Sequence, residues 1–377
     1  MKIATMVRGY LPAPRPADMV YAPIDLAVAI SEQLTKRGHE VTYFGPNGTH
    51  LCADVDTQNL RPLVHNYEEF ATLLKNIDAL SHNMPGVWDT FLAREMFERA
   101  RRKEFDLLHF HHPESALPYV HLYPDVPVVY TLHDPIGPLF REALEMYQTP
   151  SQFFVSISDN QRIPAPDLPY VSTVYNGIDT ELFSLTEEKD DYLLFAGRIN
   201  FEKGVKEAIQ IAQQTDNRLL ILGPIYADQQ EYFDQHVKPH LNEKILYLGF
   251  VEREAAVRYF QKAKAFLMPI QWEEPFGLTM VEAMACGTPV IALRRGSVPE
   301  VIVHEKTGFV VDSVAEMIEA VGKIDTIKAA DCRAHVEEFF STTKMVDSYQ
   351  AAFEKTLKIF QDRISCEAEA EVAVVAK

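Results

Sequence analysis

The stretch "EEPFGLTMVEAMACGTPVIA", residues 273–292, places acidic side chains in a segment that is otherwise typical of a protein core. The pattern predicts a helix from Leu278 to Cys286, ended by Gly287 just before a proline. Glu282 falls on the apolar arc of that helix, where a carboxylate is costly unless it is hydrogen-bonded. Sugar hydroxyls of a ligand would satisfy it, and so would an arginine from a neighbouring segment.

Glu274 lies just before the same helix, close to Gly277, which lets a ligand approach the backbone. The unpaired N–H groups of the first helical turn make this position suitable for phosphate or sugar oxygens. Eight residues span about 12 Å along a helix axis. The paired carboxyl groups of glycosidases lie about 5 Å or about 6.5–9.5 Å apart. Hydrolysis by Glu274 and Glu282 is therefore disfavoured, and we interpret them as contacts to different parts of one extended ligand.

Length and charge limit the class of protein. A chain of 377 residues with 47% hydrophobic residues exceeds one compact core, so two domains are expected. The net charge of −18 is spread over both halves, which disfavours nucleic acid and firm attachment to anionic lipid. Scattered cysteines without a C-x-x-C pair, and no apolar run long enough for a signal peptide or a membrane span, favour a cytoplasmic protein.

Short apolar runs alternate with longer amphipathic segments, which is typical of βαβ units and a parallel sheet. Helices are predicted at 23–37 and 90–103, among others. The predicted strands are 3–7, 41–44, 106–111, 126–132, 153–158 and 172–176, then 192–197, 218–223, 244–249, 265–269, 289–293 and 308–311. The charged run 180–191 separates the two series. The sequence therefore predicts two doubly wound α/β domains, and the predicted segments are 1–180, 181–341, a long closing helix at 342–365 and a frayed acidic tail at 366–377.

The run "FAGRINFEKG", residues 195–204, ends a strand and opens a helix with Arg198 and Lys203 between them. Ligands of open α/β sheets bind outside the carboxyl ends of the strands, near the switch point. An arginine fork and a lysine point charge there suit a diphosphate. The alternative is that both are solvated bases paired with Glu202 or Glu207. No G-x-G-x-x-G occurs, which disfavours a dinucleotide dehydrogenase.

Histidines cluster after strands of the first half. His133 follows "VPVVYTL", and if the domains face each other it looks towards Arg198 and Glu274. A lone histidine is more often structural than catalytic. In "HFHHP", His109 and His111 share a strand face, but no carboxylate stands at a recognisable ligand spacing, so no metal site is predicted.

Together these segments resemble the family 4 glycosyltransferases, whose GT-B architecture has two Rossmann-like domains facing a central cleft. The E-x7-E signature of that family matches Glu274 to Glu282, and its G-R…K-G diphosphate motif matches "AGRINFEKG". The resemblance covers nearly the whole chain. Further segments in family order are "RGHEV" (37–41), "DLLHFHH" (106–112), "SISDNQR" (156–162), "VYNGID" (174–179), "GSVPEVIVHEKTGFVV" (296–311) and the closing "STTKMVDSYQAAFEKTL".

The resemblance implies transfer of a hexose, with retention, from a UDP-glucose-like or GDP-mannose-like donor to a hydroxyl acceptor. It implies a nucleotide sugar as co-substrate, with no cofactor and no required metal. The catalytic candidates that it implies are His133, Glu274, Arg198 and Lys203. The implied donor-binding residues are Gly9, Gly197, Arg198, Lys203, Gly249, Phe250, Val251, Glu274, Phe276, Gly277, Leu278 and Glu282, with Glu282 on the ribose hydroxyls and the backbone near Gly249 on the base.

The mechanism expected from this resemblance is front-face attack by the acceptor, because no well-placed enzymic nucleophile is evident. Arg198, Lys203 and the helix end near Gly277 would stabilise the departing diphosphate. One departure concerns the loop at Ala22 and Pro23, where many family members place glycines whose amides approach the donor phosphates. Either this loop binds differently or that amide contact is missing.

The acceptor is expected to meet loops of the first domain, and its candidate residues are Tyr10, Tyr21, Trp88, His111 and His112. This aromatic lining would suit a sugar, a polar metabolite or an envelope precursor. Two alternatives to a transferase are a nucleotide-sugar epimerase on the same fold and a non-catalytic nucleotide-sugar-binding subunit. A binding subunit would lose the sugar-side groups, whereas Glu274 and His133 are both present. The sequence therefore favours the transferase.

Overall fold

The computed structural model describes residues 1–226 and 228–375, with side chains described up to residue 366. The chain divides into two compact units. Unit 1 comprises Met1–Ile157, Arg162–Val174 and the chain from Met345 onwards, and unit 2 comprises Ser158–Gln161 and Tyr175–Lys344. None of the helices in the described chain combines the length and apolarity that crossing a membrane requires.

Unit 1 is built on a parallel sheet with strand order β3-β2-β1-β4-β5-β6-β7. Its strands are β1 (Lys2–Met6), β2 (Glu40–Phe44), β3 (Asp54–Asp56), β4 (Leu107–Phe110), β5 (Val128–Thr131), β6 (Gln152–Ser156) and β7 (Tyr170–Thr173). Its helices are α1 (Ala22–Lys36), α2 (Tyr67–Lys75), α3 (Ile77–Ser81), α4 (Met84–Arg101) and α5 (Pro138–Met146). The strand order reverses between β1 and β4, which makes the crevice at their carboxyl ends the switch point of this sheet.

Unit 2 is built on a second parallel sheet with order β10-β9-β8-β11-β12-β13, which reverses between β8 and β11. Its strands are β8 (Tyr192–Ala196), β9 (Arg218–Leu222), β10 (Ile245–Gly249), β11 (Ala265–Met268), β12 (Val290–Leu293) and β13 (Gly308–Val311). Its helices are α6 (Val205–Gln214), α7 (Gln230–His236), α8 (Arg253–Lys262), α9 (Leu278–Ala285), α10 (Val298–Val301), α11 (Val314–Val321) and α12 (Ala329–Phe339).

Four strands near the middle of the sheets are buried along their whole length. All residues of β4, β5, β11 and β12 are buried, which is why these strands read as short continuous apolar runs rather than alternating ones. The predicted α/β class is confirmed. The sequence analysis missed β3, "DVD" at the edge of the first sheet, because this short edge strand is only partly buried and has no apolar run.

The last helix, α13 (Thr342–Val375), packs on unit 1 from Met345 onwards. The Tyr349 hydroxyl lies 3.1 Å from Thr131 Oγ1, and Lys355 donates to the Val171 carbonyl at 2.7 Å. α13 runs past residue 365, where the sequence analysis ended the closing helix. Most of the expected tail, 366–377, lies outside the residues whose side chains are described.

Unit 2 starts at Tyr175, slightly before the boundary expected at residue 181. The Tyr175 ring packs against Phe276 and Phe340, and its hydroxyl donates to Glu300 at 3.1 Å. Because of these contacts, the residues just before the charged run 180–191 belong to unit 2. The sequence analysis placed the boundary later because the apolar periodicity stops at that run.

Candidate active site

The loop after β8 carries Arg198 and Lys203 to the switch point of the second sheet. Gly204 closes this loop with a φ of +76° and begins α6. A Cβ atom on Gly204 would lie 1.9 Å from the Pro269 carbonyl oxygen, so only glycine lets this loop approach the end of β11. Gly197 pairs its N–H with Leu222 at 3.0 Å and continues the sheet up to Arg198.

Glu274 is the carboxylate around which this part of the site is built. It is 7% exposed, and its Oε2 accepts hydrogen bonds from Lys203 Nζ and, at 3.1 Å, from the indole N–H of Trp272. Lys203 Nζ lies 5.1 Å from the centre of the Trp272 ring, and the Arg198 guanidinium lies 6.0 Å from it. Trp272 therefore contacts both cations through its ring, and of the two cations Lys203 is the one bonded to Glu274.

Arg198 itself is held loosely. Its guanidinium lies 3.4 Å from Glu202, and both side chains are more than a third exposed. This is the ion pair with Glu202 that the sequence analysis gave as the alternative to a diphosphate site. A pair this exposed is worth at most about 1 kcal/mol, so a doubly charged ligand can replace the carboxylate at little cost.

The backbone between Glu274 and α9 is shaped by glycines. Gly277 precedes the first residue of α9 with a φ of +80°, and no acidic side chain occupies the first turn of that helix. Gly296 has a φ of +55°, and a Cβ atom there would lie 2.2 Å from the Glu274 carbonyl oxygen. The Phe276 ring is buried and its carbonyl accepts from Ser297 Oγ at 2.7 Å, so the Phe276 carbonyl is already engaged.

Glu282, in the middle of α9, has a partner within the fold. Arg253, the first residue of α8, brings Nη2 to 3.3 Å from Glu282 Oε1, and its guanidinium lies over the Phe183 ring at 5.2 Å. Of the two ways to satisfy this carboxylate, the neighbouring arginine is the one present. The burial of Glu282 is therefore no evidence for a ligand by itself. Arg253 stands close to the predicted base-reading segment, 249–251, which follows the edge strand β10.

The switch point of the first sheet carries a hydrogen-bonded network centred on Arg8, which follows β1. Arg8 Nη1 lies 2.9 Å from Asp89 and 3.0 Å from Glu114, and its Nε donates to the Tyr21 hydroxyl at 3.0 Å. The Tyr21 hydroxyl in turn lies 2.8 Å from His112 Nε2. The network joins the loops after β1 and β4 to helix α4.

The carboxylates of this network sit in different surroundings. Asp89 is 1% exposed, and burial raises the pKa of its carboxyl group although Arg8 and the Gly9 N–H, at 2.6 Å, oppose the rise. Burial would also raise the pKa of Glu114, but the His112 hydrogen bond and the charges of His112 and Arg8 lower it to about 2. Glu114 is thus a carboxylate at neutral pH, and half of its side chain is exposed.

Beside this network lies a group of imidazoles from β4 and the loops after β4 and β5, of which His109 and His111 are buried and His133 is half-buried. His111 Nδ1 lies 2.8 Å from His133 Nε2, and the ring of His109 lies 4.3 Å from that of His111. Burial lowers the pKa of His111 and of His133 well below the usual value and lowers that of His109 to about 3. These rings are therefore uncharged at neutral pH.

Several predicted contact residues of unit 1 serve the fold itself. The Gly9 N–H is bonded to Asp89, and a Cβ atom on Gly9 would lie 2.4 Å from the Trp88 carbonyl oxygen, so this glycine allows a close backbone approach. Tyr10 and His111 are buried, whereas Tyr21 and Trp88 are half-buried. In the part of the chain with described side chains, no three His, Cys, Asp or Glu side chains are grouped so as to hold a metal ion.

Comparison with known proteins gives the family. Glycosyl transferases group 1 matches residues 178–336, and Glycosyltransferase Family 4 matches residues 26–182, so the two matches together cover most of the chain. The chain is a family 4 glycosyltransferase. The activity class is therefore glycosyl transfer.

Several relatives of this glycosyltransferase are distant in sequence but match along nearly their whole length. N-acetyl-alpha-D-glucosaminyl L-malate synthase of Bacillus anthracis is 26% identical over 371 residues, which cover 87% of this chain and 92% of the relative. Sucrose-phosphate synthase from Thermosynechococcus elongatus superposes with a TM-score of 0.72 at 16% identity, covering 94% of this chain and 99% of the other. HepE from Anabaena, in complex with UDP and glucose, superposes with a TM-score of 0.68 at 14% identity, covering 94% of this chain and 100% of the other. These likenesses show the GT-B fold.

The sequence analysis of this glycosyltransferase missed Arg8, Asp89, Glu114, Arg253 and Trp272. Asp89 lies just before the helix predicted at 90–103. In α4, which starts at Met84, it shares the buried face with Leu92, Ala93, Met96 and Phe97, so a longer predicted helix would have given the signal that identified Glu282. The others give no such signal. Arg8 meets Asp89 and Glu114 across separations of 81 and 106 residues, which only the folded sheet brings together.

Proposed function

We propose that this enzyme transfers a hexose from a nucleoside diphosphate sugar to a hydroxyl acceptor, with retention of anomeric configuration. The observation that carries the proposal is that Lys203 and Trp272 both bond to Glu274, with Arg198 against the Trp272 ring and the start of α9 at Gly277 beside Glu274. This arrangement lies at the switch point of the second sheet, where open α/β sheets bind their ligands. Solved structures of the same fold hold UDP with glucose and UDP-glucose, which supports a nucleotide-sugar donor.

The cationic side of this arrangement suits the leaving group. Arg198 and Lys203 would bind the diphosphate, and the first N–H groups of α9, which Gly277 opens to solvent, would face its oxygens. These groups supply positive charge where negative charge develops during transfer, so we propose that no divalent metal is required. The Glu202 carboxylate would release Arg198 to the diphosphate.

The carboxylates suit the neutral parts of the donor. Glu274, fixed by Lys203 and Trp272, would accept hydrogen bonds from hydroxyls of the transferred sugar. Glu282 would accept from the ribose hydroxyls and would have to share or exchange its partner Arg253. From unit 1, we propose that His133 contacts the donor sugar and that the half-buried Tyr21 and Trp88 belong to the acceptor side, whereas the other acceptor candidates, Tyr10, His111 and His112, are buried.

The chemical step then needs no enzymic nucleophile. The acceptor hydroxyl oxygen forms a bond to the anomeric carbon from the face that the diphosphate leaves. The bond from that carbon to the phosphate oxygen breaks, and its electron pair stays on the phosphate. The acceptor proton passes to the departing phosphate oxygen, which balances the step without a side-chain base.

The proposal is tested by thermal shift with UDP, GDP, UDP-glucose and GDP-mannose, followed by mass analysis of products from a panel of hydroxyl acceptors. One nucleoside diphosphate is expected to raise the melting temperature, and its sugar conjugate to yield a glycoside whose anomeric configuration matches that of the donor. An inverted product would refute retention. Failure of every nucleotide to stabilise the protein would refute the donor assignment.

A further inference from the structure

His111 and His133 form an in-plane hydrogen bond between two rings. His111 Nδ1 lies 2.8 Å from His133 Nε2, the two ring planes differ by 11° and the ring centres are 5.1 Å apart. We propose that His111 is a positioning residue that fixes the ring orientation of His133 and the place of its proton, so that His133 presents Nδ1–H as a hydrogen-bond donor. The use of this donor toward the sugar rests on the proposed function.

The bond allows two proton arrangements. Each ring is uncharged at neutral pH and therefore carries one ring proton. In the first arrangement His111 donates from Nδ1 to the lone pair on His133 Nε2, and the proton of His133 is on Nδ1. In the second arrangement His133 donates from Nε2, and the proton of His111 is on its own Nε2.

The other nitrogen of His111 decides between these arrangements. His111 is 1% exposed, and among the described residues its Nε2 has no hydrogen-bond partner. The second arrangement would bury an N–H donor without an acceptor, whereas the first leaves only an unused lone pair. Buried donors without partners are the rarer and costlier case. The first arrangement is therefore the stable one.

The neighbouring ring cannot change this result. His109 has its own partners, because its Nε2 lies 2.9 Å from Thr131 Oγ1 and its Nδ1 lies 3.4 Å from Thr5 Oγ1. Neither nitrogen is left to accept a proton from His111. The tilted contact between the two rings holds His111 in place without adding a hydrogen bond.

The consequence concerns the chemistry open to His133. Its Nε2 lone pair is taken by His111, so His133 does not accept a proton there. Its Nδ1–H is left to donate to an oxygen atom, which fits contact with a sugar hydroxyl and does not fit a general base. His133 therefore orients an oxygen atom by donating a hydrogen bond to it. The hydrogen bond from His111 is what makes His133 a donor.

The proton positions are measured directly by long-range ¹H–¹⁵N correlation spectra of the full-length protein with ¹⁵N-labelled histidine, at pH 7. Both His111 and His133 are expected to show a protonated Nδ1 and an unprotonated Nε2. A proton on Nε2 of His133, or a charged ring at either position, would overturn the proposal. This readout needs no substrate, so it stands or fails separately from the proposed function.

Matched variants then test the positioning. His111→Asn keeps an amide donor near the place of Nδ1, and His111→Leu fills the site without a donor. In the same spectra, His133 is expected to keep its Nδ1 proton in His111→Asn and to become a mixture of tautomers in His111→Leu. Nucleotide release from UDP-glucose or GDP-mannose should fall about tenfold in kcat for His111→Leu only. Equal tautomers and equal kcat in both variants would overturn the proposal.

Discussion

The switch points of the two sheets carry different kinds of polar group. Around β8 and β11, Arg198 and Glu202 keep 38% and 45% of their side chains exposed, and their contact is a loose 3.4 Å pair. Around β1 and β4, Asp89 and His111 are almost wholly buried, and their bonds to Arg8 and His133 are 2.9 and 2.8 Å long. The site around β8 and β11 has charged side chains whose partners a ligand can replace. The site around β1 and β4 is held in place by buried hydrogen bonds before any ligand binds. Under the proposed function, the exposed charges suit a diphosphate and the buried network suits placement of an uncharged sugar.

The largest effect is expected from breaking the buried network. Asp89→Asn leaves Arg8 beside a neutral amide, with the half-exposed Glu114 as its remaining carboxylate partner, and loss of the charge-assisted hydrogen bonds of Asp89 is expected to cost about 3 kcal/mol. Hydrogen exchange at the amides of β1 and β4 measures the loss within unit 1. The control Asp347→Asn breaks the half-exposed pair with Arg37 and should cost less than about 1 kcal/mol. Equal losses of unfolding free energy in both variants would mean that the network of unit 1 stabilises the fold no more than a surface ion pair does.

At the site around β8 and β11, loss of the Arg198 charge should lower turnover and leave the free energy of unfolding unchanged. Arg198→Ala is expected to lower kcat by about 10²–10³-fold, which is typical when a group that stabilises transition-state charge is removed. The measurement is nucleotide release from the donor that the thermal-shift screen identifies. Arg258→Ala, an exposed arginine on α8, is the matched control and should leave kcat unchanged. Near-normal kcat in Arg198→Ala would remove the diphosphate assignment.

Acidification should destabilise unit 1 through its buried imidazoles. The folded chain keeps His109 and His111 neutral because burial lowers their pKa, while the unfolded chain protonates them below about pH 6.5. The unfolded state then binds more protons, so the free energy of unfolding falls as pH drops from 6.5, by up to about 1.4 kcal/mol per pH unit and histidine. His109→Gln should reduce this slope. The same pH dependence in wild type and variant would show that His109 is charged in the folded protein.

The smallest effect concerns Arg253. If Glu282 binds the ribose hydroxyls, Arg253 competes with the ribose, and Arg253→Gln frees the carboxylate. A partly exposed pair of this kind is worth up to about 1 kcal/mol, so nucleotide affinity is expected to rise by about 2–5-fold. Calorimetric titration with UDP and GDP measures it, and Arg253→Lys, which keeps the charge, is the control. Weaker binding in Arg253→Gln would make Arg253 part of the nucleotide site.

The two sites also differ in how much of them the sequence predicts. Glu274 and Gly277 lie just before α9 and Glu282 lies within it, so local spacing alone relates their positions. The α/β class was also predictable, because helical and strand periodicity are local patterns of the sequence.

The network of unit 1 is non-local. Arg8 comes from the end of β1, Asp89 from α4 and Glu114 from the loop after β4, and their partnership depends on packing that no local pattern encodes. Arg253 likewise meets Glu282 only because α8 and α9 are neighbours in the fold. Sequence reasoning identified the acid in the helix and left its partner open.

The most direct measurement is a crystal structure of the full-length protein with UDP or GDP, whichever the thermal-shift screen selects. We expect Arg198 and Lys203 to contact the diphosphate beside the first turn of α9, and Glu282 to contact the ribose with Arg253 drawn away from it. A nucleotide bound elsewhere, with Arg198 still on Glu202 and Arg253 still on Glu282, would contradict this expectation.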